Sequence, residues 1–132
     1  PISKKREAIV NLTMQQLGKR YSWGAVGPNT FDCSGLVYYV YKNAISMNIS
    51  RTSKAQSKLG KQISKSNVKP GDLVFFDTVG GGEVTHVGIM INSNEFINAE
   101  GDRDHPLYVS RRSISMPYWS QRIISFRNLL ND

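Results

Sequence analysis

The stretch Phe31-Asp32-Cys33-Ser34-Gly35-Leu36-Val37 runs from small polar residues directly into an apolar pattern at helical spacing. From Cys33 onward the apolar residues recur at three- and four-residue steps, namely Leu36, Val37, Val40, Tyr41 and Ala44. This spacing predicts a helix of about three turns that buries one stripe in a core. Loop-forming residues precede the helix, and either Thr30 or Asp32 can supply the N-cap oxygen. Cys33 is therefore predicted to lie in the first turn.

Cys33 is the only cysteine of the chain. A lone cysteine is most often a small buried apolar residue. At a helix start, however, unpaired backbone N–H groups and the positive end of the helix dipole favour the thiolate, so we expect Cys33 to be a nucleophile. A carboxylate facing the sulfur would raise the pKa of the thiol. We therefore expect Asp32 to turn toward the cleft or the loop backbone, where it can cap the helix and bind a cationic group.

A nucleophilic cysteine needs a base, and the chain offers two histidines. His86 lies in Val84-Thr85-His86-Val87-Gly88-Ile89-Met90-Ile91, which is typical of a buried strand, whereas His105 lies in a charged loop-like stretch. A strand can hold an imidazole at a fixed distance from Cys33, and Gly88 on the same face is expected to leave open space beside it. We expect His86 to be the base; a core histidine with satisfied nitrogens is the alternative.

Asn98 is the candidate to orient His86. The turn signal Asn92-Ser93-Asn94-Glu95 is followed by Phe96-Ile97-Asn98-Ala99, which predicts a short returning strand. A hairpin centred near Asn92 would place residues 86 and 98 directly opposite, with Cβ atoms roughly 4.5 to 5.5 Å apart. The amide oxygen would then fix the imidazole tautomer, as in a Cys-His-Asn arrangement. A register slip of one residue would turn Asn98 away.

The rest of the chain predicts an α+β architecture. We expect an opening helix from Ser3 to Leu17, with Ile9, Leu12 and Leu17 inward and Gly18 as its stop, and a short helix near residues 53–59. Strands are predicted at Leu73 to Phe76, at the histidine segment and at Ile123 to Arg127. Helices followed by strands indicate an antiparallel sheet packed on the cysteine helix.

Several polar and aromatic residues have two interpretations. Tyr21 is either a packing aromatic or part of a cleft, and Trp23 is expected to pack. Arg51 precedes a predicted capping box of Ser53 and Gln56, which would put its guanidinium on an ordered loop where it can bind a carboxylate. The glycine triplet at residues 80–82 is expected to be a flexible hairpin, with a mobile cleft wall as the alternative.

The composition fits one domain of 132 residues with 39% apolar content. The net charge of +7 is uneven: residues 1–69 carry twelve Lys and Arg against two acidic residues, and residues 70–132 carry five against eight. The basic half lacks the aromatic interleaving or motif of a nucleic-acid binder. We recognise no repeat, membrane-spanning stretch, signal peptide at Pro1 or metal-ligand spacing.

Six segments together resemble the NlpC and p-sixty superfamily of bacterial cell-wall cysteine peptidases, over about Tyr21 to Arg127. They occur in the family's order and at family-like spacing. The segments are Tyr21-Ser22-Trp23-Gly24, Phe31-Asp32-Cys33-Ser34-Gly35-Leu36-Val37, Arg51-Thr52-Ser53 with Gln56, Lys69-Pro70-Gly71-Asp72-Leu73-Val74-Phe75-Phe76, His86-Val87-Gly88-Ile89 and Phe96-Ile97-Asn98-Ala99.

The resemblance implies a papain-like fold and cleavage of peptidoglycan stem peptides, most often between γ-linked D-glutamate and the following diamino acid. It implies that Cys33 is the nucleophile, His86 the base and Asn98 the orienting residue, a position where many relatives have histidine. It further implies that Tyr21, Asp32, Ser34 and Arg51 line the substrate cleft. No cofactor and no metal are expected.

The same resemblance implies a single catalytic domain over residues 1–132, expected to be part of a longer exported protein that acts in the cell envelope or after secretion. Its partners would be the stem peptide and anionic wall polymers, not nucleic acid, and the domain is expected to be a monomer without a membrane span. The alternative function is a non-catalytic or weakly active peptidoglycan-binding module. A third, amidase or acyl-transfer chemistry, would use the same nucleophile.

Overall fold

The first helix, α1, spans Lys4–Gln15 in a computed structural model that describes residues 2–132. Ser3 is its N-cap and accepts the N–H of Arg6, which satisfies one of the free donors of the first turn. The helix ends at Gln15, two residues before its predicted end at Leu17, and the Leu17 side chain is exposed instead of facing the core. Gly18, with φ at +87°, then turns the chain in a conformation that favours glycine.

The second helix, α2, spans Cys33–Ile45, as the apolar spacing predicts, and of the two candidate caps, Thr30 and Asp32, it uses Asp32. Leu36, Val37, Val40 and Tyr41 are buried, and Ala44 packs at the edge of the same core. A third helix, α3, is shorter than predicted and spans Ser53–Gln56. Its N-cap is Thr52, which accepts the N–H of Ala55, so the predicted capping box of Ser53 and Gln56 is wrong.

Eight strands form one sheet in the order β2-β1-β7-β6-β5-β4-β8-β3. Their bounds are β1 Arg20–Tyr21, β2 Thr30–Phe31, β3 Lys61–Ile63, β4 Leu73–Phe76, β5 His86–Met90, β6 Glu95–Gly101, β7 Pro106–Ser113 and β8 Ile123–Asn128. All neighbouring pairs are antiparallel except the short pair β1 and β2, which is parallel. A 3-10 turn spans Lys65–Asn67, and a last short helix, α4, spans Pro117–Ser120. The α+β prediction is confirmed.

The sheet is covered on both faces, which explains the unbroken apolar runs of β4 and β5. Leu73, Phe75, Val87 and Ile89 join the core under α1 and α2. The alternate residues of the same strands face a second core, built from Val74, Phe76, Met90, Phe96, Ile114, Trp119 and Phe126. The strand that carries His86 therefore lies between the nucleophile helix and an aromatic cluster.

A buried ion pair joins α1 to the start of β4. Arg6 and Asp72 are 1% and 0% exposed, and their Nη1 and Oδ1 atoms are 2.9 Å apart. Arg6 also binds Asp132 through two hydrogen bonds of 3.0 and 2.6 Å. Burial raises the pKa of Asp72, whereas the bonds from Lys69 N–H and Arg6 oppose that shift.

None of the helices within residues 2–132 has the length and apolarity to cross a bilayer.

Candidate active site

Cys33 is the first residue of α2 and lies against the strand that carries His86. The Asp32 carboxylate accepts the N–H of Gly35 at 2.7 Å and so caps the helix from the residue before the sulfur. The backbone N–H groups of Val87 and Ser34 favour the ionised form of the sulfur and so lower the pKa of Cys33. Cys33 is partly accessible to solvent. The fold thus brings the predicted nucleophile beside β5, next to the residue that follows His86.

The surroundings of Cys33 oppose the thiolate that its place at the helix start predicts. Burial and, next, the negative charge of Asp32 raise the pKa of Cys33 to about 11. The Val87 and Ser34 N–H groups and the Arg51 charge oppose the shift without reversing it. Burial and the Asp32 charge therefore outweigh the N–H groups at the helix start in setting the pKa of this thiol.

His86 and Asn98 are joined by a hydrogen bond of 2.7 Å between Nε2 and Oδ1. The strand register differs from the prediction, because Ile89 pairs with Ile97 and Met90 with Phe96. Continuing this register places residue 98 opposite Gly88, two residues along from His86. A shift of two keeps a side chain on the same face of the sheet, so Asn98 still reaches the imidazole diagonally. The predicted direct pairing is wrong, but the predicted contact is present.

The orientation of the Asn98 amide fixes the tautomer of His86. Asn98 Nδ2 donates to the carbonyl of Ser110 on β7 at 3.3 Å, which leaves Oδ1 as the atom that faces the ring. His86 Nε2 must therefore carry the proton, and Nδ1 keeps its lone pair. Burial lowers the pKa of His86, while the Asn98 bond and the Glu100 charge oppose this. The resting imidazole is neutral and can accept a proton at Nδ1.

Two aromatic side chains, Trp119 and Phe76, form an aromatic cluster with the His86 ring. The Trp119 indole stacks on it with centroids 5.5 Å apart and planes 25° from parallel, and Phe76 lies at 5.9 Å. Gly88 does not leave open space as predicted, since a Cβ there would meet the Phe96 ring at 2.6 Å. Sequence reasoning missed Trp119, although the run Pro117-Tyr118-Trp119 was an available signal for an aromatic anchor.

Three of the four residues predicted to line the substrate cleft form one network at the start of α2. Arg51 donates to Asp32 Oδ2 at 2.7 Å and to Ser34 Oγ at 2.8 Å. The same Asp32 oxygen accepts the N–H of Gly24 at 3.0 Å. Asp32 thus faces the loop backbone, as expected, yet its charge still acts on Cys33. Arg51 is paired with a carboxylate of this chain.

Tyr21 and Trp23, which are two residues apart, have different environments. Tyr21 is 4% exposed, and burial, followed by the proximity of the ionisable Cys33 and Asp32 side chains, raises its pKa to about 12. It therefore belongs to the same site as the sulfur. Trp23 is 67% exposed, with the Arg103 guanidinium 5.8 Å from its ring centroid, so the expectation that it packs in a core is wrong.

Gln56 has a role that the sequence did not reveal. Its side chain is fully buried, and its Nε2 donates to the carbonyls of Ser34 and Ser50 at 3.1 and 2.9 Å. It thereby ties the loop that carries Arg51 to the first turn of the nucleophile helix. Its Oε1 is buried without a partner, which is uncommon for a polar atom.

Two loops contain further residues considered in the sequence analysis: the β6–β7 loop contains His105, and the β4–β5 loop contains the glycine triplet at residues 80–82. His105 lies exposed in the β6–β7 loop, as predicted, and its Nδ1 is 3.3 Å from Asp102 Oδ1. The glycine triplet is not a bare hairpin, because the Asp77 carboxylate accepts three backbone N–H groups of that loop. Glu83 at its end pairs with Lys54 at 2.9 Å.

Comparison with known proteins gives a consistent result. A family model described as the NlpC/P60 family matches residues 18–128. The chain is 37% identical to the murein DD-endopeptidase MepH of Escherichia coli K12 over 132 residues, covering 98% of the chain and 48% of that relative. It is 48% identical to the probable endopeptidase p60 of Listeria monocytogenes over 92 residues, which is 70% of the chain and 18% of that protein.

Solved structures show the same fold. An NLP/P60 family protein from Staphylococcus aureus superposes with a TM-score of 0.84 at 30% identity and covers 100% of this chain and 43% of its own. The NlpC2 protein of Trichomonas vaginalis gives a TM-score of 0.83 at 30% identity, covering 98% and 48%. The chain therefore spans less than half the length of each of these relatives.

Proposed function

The chain belongs to the NlpC/P60 family, and on that premise we propose that it is a cysteine endopeptidase that hydrolyses peptidoglycan stem peptides. The observation that carries the proposal is the buried hydrogen bond of 2.7 Å between His86 and Asn98, made by the strand β5 that packs against α2, whose first residue is Cys33. Relatives named as endopeptidases support the same reaction class.

In the proposed reaction the Cys33 thiol gives its proton to His86 Nδ1 while the sulfur attacks the carbonyl carbon of the scissile bond. The resulting oxyanion accepts a hydrogen bond from the Cys33 N–H, which has no intrahelical acceptor at the helix start. Imidazolium then protonates the leaving amine, and a thioester remains on Cys33. Water, deprotonated by His86, hydrolyses the thioester, and the acid product leaves as the thiol regains its proton.

Asn98 acts by positioning. Its Oδ1 accepts from Nε2 and holds the neutral tautomer that presents Nδ1 to the thiol. Because the thiol pKa is raised and the imidazole pKa is lowered, the resting pair is neutral and the thiolate forms only during attack. Water exclusion around His86 by the aromatic cluster supports such concerted transfer.

The acyl side of the substrate is assigned to Tyr21, Asp32, Ser34 and Arg51. Asp32 can bind a cationic amino end of the stem, and its bond to Arg51 would hold the carboxylate in place. The proposed bond is the one between γ-linked D-glutamate and the diamino acid. A second candidate is a bond between two D-configured residues, which the name of the Escherichia coli relative favours.

We further propose that residues 1–132 form one catalytic domain of a longer exported protein that acts outside the cytoplasm as a monomer. The basic half of the sequence would favour anionic wall polymers as additional contacts.

Digestion of purified peptidoglycan, followed by mass spectrometry of the released muropeptides, tests the function. We expect fragment masses that correspond to one of the two bonds, and no release by Cys33→Ser protein that still binds the wall. Binding without release by the unmodified protein would favour a binding module instead. A product mass showing loss of an amide or transfer of an acyl group would favour the amidase or acyl-transfer alternative.

A further inference from the structure

His86 takes up a positive charge in the proposed reaction. Its Nδ1 receives the Cys33 thiol proton while the sulfur bonds to the carbonyl carbon, so the ring becomes an imidazolium. His86 is only 6% exposed, and burial disfavours the charged form of the ring. Asn98 offers the ring a neutral amide oxygen and therefore no full negative charge. A carboxylate near the ring would offset the cost of charging it.

Glu100 is a carboxylate in position to act on this ring. It follows Asn98 by two residues on β6, and it lines the same groove as His86 and Trp119. The Glu100 side chain is 18% exposed, so water screens its charge only in part. Its charge opposes the effect of burial and raises the pKa of His86, although burial remains the larger cause.

Arg112 holds the Glu100 carboxylate in a fixed orientation. It lies directly opposite Phe96 across the β6–β7 pair, so its side chain is on the sheet face that also carries Asn98. From there its Nε and Nη2 donate to the two Glu100 oxygens at 2.8 and 2.9 Å. A pair joined by two parallel hydrogen bonds fixes both planar groups. Of this pair, it is the Glu100 charge that shifts the pKa of His86, upward.

The other titratable or charged side chains of the groove are less suited to this role. They are Arg112, Asp102, His105 and Tyr118. Asp102 is 66% exposed and has His105 at 3.3 Å, so solvent and its own partner screen its charge. The Tyr118 ring packs on the guanidinium of Arg122, 3.9 Å from the ring centroid.

The elements packed around His86 offer no better carboxylate. On the α2 side, Cys33 is the proton donor of the proposed reaction, and Asp32 is bound by Arg51 at 2.7 Å. Strand β4 and helix α4 contribute uncharged aromatic rings. Glu100 is therefore the carboxylate that remains for the ring.

We infer that Glu100, held by Arg112, is a positioning residue of the proposed reaction and supplies the negative charge that stabilises the His86 imidazolium. The inference rests on the proposed function and adds a residue to its machinery. The stabilisation acts only when the ring gains its proton, so it lowers the barrier to attack more than it aids substrate binding. Removing the Glu100 charge should therefore lower kcat and leave KM nearly unchanged.

An NMR titration of the imidazole signals tests the charge coupling without a substrate. The chain has two histidines, and His105→Gln assigns their signals. We expect Glu100→Gln to lower the pKa of His86 by roughly half a unit or more. Arg112→Gln should raise that pKa, because it removes a positive charge. Adding Glu100→Gln to the Arg112→Gln variant should lower it again, which isolates the effect of the Glu100 charge.

The matched control is Glu95→Gln. Glu95 pairs with Arg111 through bonds of 3.1 and 2.9 Å on the same two strands, but it does not line the groove. This variant should leave the pKa of His86 where it is. The inference is overturned if Glu100→Gln leaves that pKa unmoved in both backgrounds, or if Glu95→Gln moves it as far.

Kinetics on a soluble stem peptide separate this inference from the proposed function. If the unmodified protein cleaves no peptide, the proposed function fails, while the titration still decides whether Glu100 stabilises the charged ring. If it does cleave, we expect Glu100→Gln to lower kcat about tenfold with KM within about twofold, and Glu95→Gln to leave both within about twofold. Thermal unfolding checks that each variant is folded. A moved pKa of His86 with an unchanged kcat would overturn the role of Glu100 in the reaction.

Discussion

The indole of Trp119 stacks on the imidazole of His86, with ring centroids 5.5 Å apart and planes 25° from parallel. Asn98 holds the edge of the same ring through a bond of 2.7 Å. The ring is therefore fixed on one face and on one edge by residues from α4 and β6. A base held in this way has little freedom to turn Nδ1 away from the nucleophile.

We predict that Trp119→Phe and Trp119→Ala shift the acid limb of the kcat/KM profile upward. Burial is the largest cause of the lowered pKa of His86, so a smaller ring should let that pKa rise toward its ordinary value of 6.5. Activity that requires a neutral imidazole would then be lost at a higher pH. We expect a roughly tenfold lower kcat for the alanine variant.

Because truncating a buried tryptophan costs about 3–5 kcal/mol of stability, the phenylalanine variant serves as the one that keeps the fold. Trp23→Phe is the matched control, since Trp23 is exposed and has no contact with His86. A fall in kcat with an unmoved acid limb would mean that Trp119 is merely structural.

Asn98→Ala is predicted to lower kcat about 100-fold with little change in KM, because the Nε2–H of His86 loses its acceptor and the tautomer is no longer fixed. Asn98→His, whose ring nitrogen can still accept the Nε2–H of His86, should retain activity within about tenfold. Steady-state kinetics on a soluble stem peptide measure both, and thermal unfolding checks that each variant is folded. Equal loss in the two variants would argue against an orienting role.

The alkylation rate of Cys33 by iodoacetamide should keep rising from neutral pH toward about pH 10, because the pKa of the thiol is raised to about 11 and only the thiolate reacts. Asp32→Asn keeps a capping side chain but removes the second cause of that shift, so it should lower the pKa and speed alkylation at neutral pH. A rate that is flat from about pH 6 upward would instead indicate a preformed thiolate.

Gly35→Ala is predicted to destabilise the protein by about 2 kcal/mol or more and to lower activity. A Cβ at residue 35 would clash with the backbone carbonyl oxygen of Ala25, which cannot move aside cheaply. The loop that contributes Gly24 N–H to Asp32 would be pushed from the helix. Gly81→Ala is the control, because nothing lies within 4 Å of its Cβ, and it should be neutral. Urea unfolding compares the two, and similar losses would contradict the steric argument.

Local patterns predicted much of the fold. The apolar spacing after Cys33 predicted the buried stripe of α2, whereas the choice between Thr30 and Asp32 as its cap was made only by the structure. The run Leu73 to Phe76 matched β4. These features depend on neighbours within one or two turns, which a sequence displays directly. The contact of Asn98 with His86 was predicted for a partly wrong reason, since the two-residue shift in register keeps the same face.

The sequence by itself predicted the helix α2, the strand β4 and the α+β class, and it singled out Cys33, His86 and Asn98 as candidates for one site. Only the tertiary structure decided the burial that raises the pKa of Cys33, the stacking of Trp119 on His86, the bridge made by Gln56 and the burial of Arg6 against Asp72. Each of these depends on desolvation or on contacts between residues far apart in the chain. Such quantities arise only when distant segments exclude water together, and no local spacing of residues encodes them.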